Sequence, residues 1–232
     1  MKRYLVLLVV FLVVGGAGFL FAQHMMGPGM GMMGGPWDYI LPGDVKSLTI
    51  DEVAEVVERY LDAWGNPDLE LEEIMEFSNH FYAEVEEEST GVHAFELLIN
   101  KYTGDIFPEP GPNMMWNTKY GHMNGGMMGF GMMWGGWRGQ SRRYEQQVEG
   151  GKMRITPEKA VRNAQRFLDS SLPGVKAASE VDTFYGYYTI HTLENGEIYG
   201  MLGVNGYSGR VWYHTWHAKF IRMKESGEHE SL

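Results

Sequence analysis

The chain repeats itself, and that repeat limits what it can fold into more than any other feature. TIDEVAEVVERYLD (49–62) aligns with TPEKAVRNAQRFLD (156–169), and NKYTGDIF (100–107) aligns with NGYSGRVW (205–212). The first pair is offset by 107 residues and the second by 105, so whole units correspond almost in register. Two related domains within 232 residues are the simplest account.

Each unit opens with a threonine placed to cap a helix, Thr49 or Thr156. Glu52 completes a capping box in the first, Lys159 suits that position less well in the second, and Pro157 fits a first helical position, where no N–H is needed. Val53, Val56, Val57, Tyr60, Leu61 and Trp64 fall on one helical stripe, as do Ala160, Val161, Ala164, Phe167 and Leu168. The period then changes. HFYAEVEE (80–87) and VHAFELLIN (92–100) read as strands joined by a tight turn, and YGYYTIHT (185–192) and IYGMLGVN (198–205) as strands joined through Asn-Gly. A Tyr-Thr-Gly or Tyr-Ser-Gly turn, in which Gly104 or Gly209 takes a positive φ, precedes a further strand through DIF or RVWYHTWH. The expected fold class is α+β: two repeated modules, each a helix packed on a small antiparallel sheet.

This plan resembles the PepSY family of small extracytoplasmic domains. The residues carrying the resemblance are 49–62 with 100–107, and 156–169 with 205–212, within two units that cover roughly 130 residues. The resemblance implies a fold and an extracytoplasmic location. It also implies inhibition or ligand binding as possible roles, with no common catalytic residues.

Lys2 and Arg3 precede an apolar stretch, 4–22, built around LVLLVVFLVV. That is the pattern of an export signal, cut after Gly18 or Ala22, or of a retained membrane anchor. The expected organisation is a leader or anchor (1–22), a Met/Gly-rich loop (23–37), a first module (38–113), a second Met/Gly-rich loop (114–140), a second module (141–224) and a polar tail (225–232). A formal charge of −11 argues against a nucleic-acid partner. The absence of cysteine excludes disulfides and thiolate metal sites.

Twelve of the 17 methionines lie in 25–33 and 114–133, a bias that core packing would not produce. MMGPGM (25–30) aligns with MMGFGM (127–132), and each tract is led by a histidine and followed by Gly-Gly and Trp. Thioether sulfur is a soft, uncharged donor that needs no deprotonation, so Cu(I) or Ag(I) is the fitting guest. The candidate ligands are His24, Met25, Met26, Met30, Met32 and Met33 in the first tract. In the second they are His122, Met123, Met127, Met128, Met132 and Met133, with Met114 and Met115 nearby. The same tracts also read as a surface that contacts a membrane or protein, or as sacrificial thioethers that consume oxidant.

Residues 38–137 hold 19 acidic and 4 basic side chains, which reads most simply as a solvated acidic face. His214 and His217 are three apart in WYHTWH, so they share one face only where the strand has ended or bulged. A metal role for these two histidines is the lesser alternative, and aromatic packing is the simpler role for Trp212, Tyr213 and Trp216. No catalytic motif is present, and no enzyme is expected. The functional expectation is an extracytoplasmic Cu(I)/Ag(I)-binding protein for buffering, delivery or resistance. The alternative is a non-catalytic PepSY-like accessory module that binds an envelope protein or peptide.

Overall fold

Two helices form where the caps and apolar stripes place them. The computed structural model describes residues 46–121 and 152–225. Helix α1 (Ile50–Trp64) starts at Thr49, whose side chain accepts the Glu52 N–H while the Glu52 carboxylate accepts the Thr49 N–H, and it stops at Gly65, φ 69°. Helix α3 (Pro157–Ser171) has the Thr156 half of that arrangement alone, because Lys159 cannot reciprocate. Ile50, Val53, Val57 and Leu61 are buried on α1, as are Ala160, Ala164 and Leu168 on α3.

In the first repeat α1 is followed by β1 (Leu69–Phe77), β2 (Phe81–Glu87), β3 (Val92–Ile99) and β4 (Ile106–Pro108), then a single helical turn, α2 (Pro112–Trp116). In the second, α3 is followed by β5 (Lys176–Ala177), β6 (Asp182–Phe184), β7 (Tyr187–Glu194), β8 (Glu197–Asn205), β9 (Val211–Tyr213) and β10 (Phe220–Glu225). The β7–β8 turn has Asn195 and Gly196 both at positive φ, as Asn-Gly requires. After β3 and β8 the same turn recurs: Asn100 accepts the N–H groups of Tyr102 and Thr103, Asn205 accepts those of Tyr207 and Ser208, and Gly104 and Gly209 sit at φ 73° and 72°.

The result is an α+β fold with helices packed on a mixed sheet, loosely consistent with the PepSY-like plan. It differs from the expectation of a separate small antiparallel sheet in each module. The strands of both repeats join one ten-stranded sheet in the order β10-β1-β2-β3-β6-β7-β8-β9, with β4 on β3 and β5 on β7. The junctions are a single parallel rung, His93 opposite Phe184, and the antiparallel pairing of β10 with β1. Strands β1 and β10 carry so many charges that a sequence reading passes over them.

The face of β1 to β3 toward α1 presents Ile74, Phe81, Ala83, Val85, Phe95 and Leu97 to one apolar core. The corresponding face of β7 and β8 presents Tyr188, Ile190, Leu202 and Val204 to α3. The opposite faces turn toward each other: Tyr187 and Thr189 of β7 donate to Glu96 of β3, and His191 of β7 lies 3.9 Å from Glu73 of β1. The curled sheet therefore encloses a second interior, and that interior is polar.

Candidate metal centre

The centre of that interior is built by equivalent positions of the two repeats. Glu109 follows β4 and His214 follows β9, at the same offset of 105 as the turns before them. The Glu109 N–H donates to the Glu96 carbonyl and the His214 N–H to the Met201 carbonyl, both at 3.0 Å, so the backbone holds the two residues identically. Strand β9 ends at Tyr213. The chain then turns, which lets His214 and His217 enter one site despite their three-residue spacing.

Donor atoms of Glu109, His214 and His217 lie within 4.8 Å of one another. Their side chains are 0–1% exposed. His217 Nε2 is 3.0 Å and His214 Nδ1 is 3.4 Å from Glu109 Oε1, which also accepts the Trp216 indole N–H at 3.0 Å. Glu109 Oε2 and His214 Nε2 have no hydrogen-bond partner among the described residues. Aromatic rings fix the imidazoles: Phe77 stacks on His217 with centroids 4.4 Å apart, and Trp216 stacks on His214 at 4.8 Å. Behind His217, its Nδ1 is 2.8 Å from His80 Nε2.

Burial would push the Glu109 carboxyl up, but the His214 and His217 imidazoles beside it outweigh burial and hold it well below the usual carboxylate range. Burial lowers His80 to about 3, helped by His217, and lowers His217 against the pull of Glu109. An ionised carboxylate thus faces His217, whose charging burial disfavours. One anionic oxygen ligand and two imidazoles suit a divalent ion of the zinc class, and His80 would orient His217 from behind.

Beside this centre, three glutamates occupy one rung across three strands: Glu73 pairs with Glu84, and Glu84 with Glu96. Glu96 accepts Tyr82 Oη at 3.0 Å and Thr189 Oγ1 at 2.7 Å on one oxygen, and Tyr187 Oη at 2.7 Å on the other. Tyr82 also contacts Glu84. A phenol has one proton, so of these two carboxyl groups at least one is protonated and donates to Tyr82. Burial raises Glu84 and Glu96 well above the usual range, reinforced by neighbouring carboxylates, and raises Glu73 to about 9.

Sequence reasoning missed this interior. Glu73, Glu84, Glu87, Glu96 and Glu109 are buried rather than part of a solvated acidic face. Trp212 is exposed, whereas Trp216 packs on the centre. The available signal was the repeat itself: extending the strand alignment two residues past Phe107 and Trp212 pairs Glu109 with His214. The Met-tract candidates (His24, Met25, Met26, Met30, Met32, Met33, His122, Met123, Met127, Met128, Met132 and Met133) lie outside the described residues, as does the apolar leader. Of the neighbouring methionines, Met114 is half-buried and Met115 exposed on α2. Among the described residues, no helix is long and apolar enough to cross a membrane.

No protein-family model and no curated protein sequence matches the chain. Among solved structures it is similar to the Bacillus megaterium YpeB C-terminal domain, at 11% identity and a TM-score of 0.24, over 72% of this chain and 62% of that one. The chain thus spans less than two thirds of that structure. A likeness this weak and partial carries no conclusion about activity or partners.

Proposed function

We propose that the protein is a non-catalytic accessory module of the cell envelope that holds a divalent cation of the zinc class between Glu109, His214 and His217. The observation that carries this reading is the convergence of three metal-ligating side chains, essentially unexposed, with Glu109 Oε2 and His214 Nε2 lacking hydrogen-bond partners among the described residues. A Glu/His2 set leaves a fourth position, but the burial of all three ligands keeps substrate from it, which favours a structural ion over a catalytic one. Because its ligands come from both repeats, the ion would fasten the halves together, and binding would appear as folding stability.

The methionine tracts supply a different donor set. Soft Cu(I) or Ag(I) would go to the thioethers and a borderline divalent ion to the Glu/His2 centre, so one chain would sort two classes of metal by softness. The partner-binding role is part of the same reading: a metal-fastened module presents a rigid surface to an envelope protein or peptide.

The test is thermal unfolding of the chelator-treated full chain with and without Zn²⁺, together with Co²⁺ absorption spectroscopy. Comparison with Glu109→Gln and His217→Gln separates this centre from the tracts. A Zn²⁺-dependent rise in Tm and a Co²⁺ d–d spectrum of nitrogen/oxygen ligation, both lost in folded variants, support the reading. An identical response in wild type and variants refutes it.

A further inference from the structure

We infer that the glutamate rung carries a second cation site, formed by Glu84, His93 and Asp182 with Glu73 beside them, which takes a harder divalent ion than the Glu109 centre. It stands on different residues from that centre and does not depend on it.

Three observations lead to this assignment. Donor atoms of Glu84, His93 and Asp182 fall within 4.8 Å of one another, with His93 Nδ1 2.9 Å from Glu84 Oε2. Glu73 is 9% exposed, and its Oε1 has no hydrogen-bond partner among the described residues; the nearest cationic candidate, His191 Nε2, is 3.9 Å away. The third concerns how Glu73 comes to be there. Leu69 and Leu71 face α1, and uninterrupted alternation would send Glu73 to the same apolar core. A bulge between Leu71 and Glu73 reverses the phase, so that Ile74 faces α1 and Glu73 turns inward opposite Glu84. A bulge that aims a carboxyl at another buried carboxyl opposes every local preference, because like charges directly across a strand pair repel. The arrangement is stable only with positive charge between the carboxyls, supplied by protons or by a metal ion.

The surroundings favour a metal. Glu96, the third member of the rung, has its two oxygens satisfied by Tyr82, Tyr187 and Thr189, and so is not available as a ligand. Glu84, with Tyr82 on Oε1, turns Oε2 toward His93, and a carboxylate oxygen of Asp182 joins them. The site lies at the one parallel rung between β3 and β6, where His93 and Asp182 are half-buried, so water can complete a coordination shell. Carboxylate-rich ligation with one imidazole and open positions suits Mn²⁺ or Fe²⁺, in contrast to the buried centre with two imidazoles.

Mn²⁺ titration of the full chain, followed by loss of the free-ion electron paramagnetic resonance signal, tests this. One Mn²⁺ should bind saturably. Affinity should fall at least about tenfold in Glu84→Gln and in Asp182→Asn. It should persist in Glu109→Gln, which separates failure here from failure of the zinc-class reading. Circular dichroism establishes that each variant is folded, and the near-isosteric amides remove charge with little change of shape. Binding unchanged in folded Glu84→Gln and Asp182→Asn overturns the proposal. Absence of binding to the folded wild type also overturns it and leaves protons alone holding the rung.

Discussion

Replacing Glu87 with glutamine should cost about 3 kcal/mol at neutral pH and progressively less in acid. The Glu87 carboxylate is 1% exposed and gathers four donors: Lys119 Nζ, Tyr120 Oη, Tyr185 Oη at 2.5 Å and Thr90 Oγ1 at 3.1 Å. Tyr185 belongs to the second repeat, so this contact also joins the halves. Burial pushes the carboxyl up, but Lys119, Tyr120 and Tyr185 outweigh it and bring it from 4.5 to about 2. At about 1.4 kcal/mol per pH unit, that interval corresponds to about 3 kcal/mol of stability. Because the folded value is depressed, the unfolded chain takes up this proton first as pH falls. The stability is fully present above about 4.5 and disappears as pH falls toward about 2. Urea denaturation of wild type and Glu87→Gln should therefore give a difference of about 3 kcal/mol at about pH 7, shrinking to about 1.4 kcal/mol at about pH 3. A difference that stays constant across that range, or is absent at neutral pH, refutes the assignment of an ionised, donor-saturated Glu87.

Three further perturbations test other parts of the fold and of the functional reading. Gly186 sits at φ 103°, its carbonyl accepts the Gly206 N–H, and an added Cβ would collide with the Trp116 carbonyl oxygen, so Gly186→Ala should destabilise by more than about 2 kcal/mol in chemical denaturation. Thr49→Ala breaks a reciprocal capping box and should cost about 1 kcal/mol, whereas Thr156→Ala loses a single longer contact and should cost about half as much by the same measurement. Changing the twelve tract methionines to leucine should abolish saturable Cu(I) binding in anaerobic chelator competition while leaving the Zn²⁺-dependent Tm shift intact; loss of both together would mean that the two donor sets are not independent.

Helices were legible because each carries its own instructions. A threonine cap, an apolar stripe and a stop act within about fifteen residues, and the Asn-turn-Gly segments after β3 and β8 are equally local. Strand β1 was not legible. LELEEIMEF mixes four glutamates with apolar residues, and its bulge breaks the two-residue period by which a half-buried strand is read. Strand β10, FIRMKE, makes sense only as the partner of β1, more than 140 residues away in sequence. Pairing of strands across the repeats is a long-range choice that no local pattern encodes, so two separate sheets were the natural expectation.

The polar interior was hidden for a deeper reason, which the duplication itself explains. When two copies of one unit join through equivalent faces, equivalent residues meet, and a face that alternation assigns to solvent in each copy becomes interior in the pair. Tyr82 and Tyr187 meet on Glu96 in this way, as do Glu109 and His214 at the centre. Two identical residues at such a position would present two like side chains to each other. Divergence to a carboxylate in one copy and an imidazole in the other gives complementary donors with no change of backbone, as the matching 3.0 Å bonds to Glu96 and Met201 indicate. A chemical site then follows from substitution at one paired position, with His217 added where β9 gives way to a turn. On this view the informative comparison is between the copies: differences at aligned inward positions mark the site, whereas the shared residues mark only the fold.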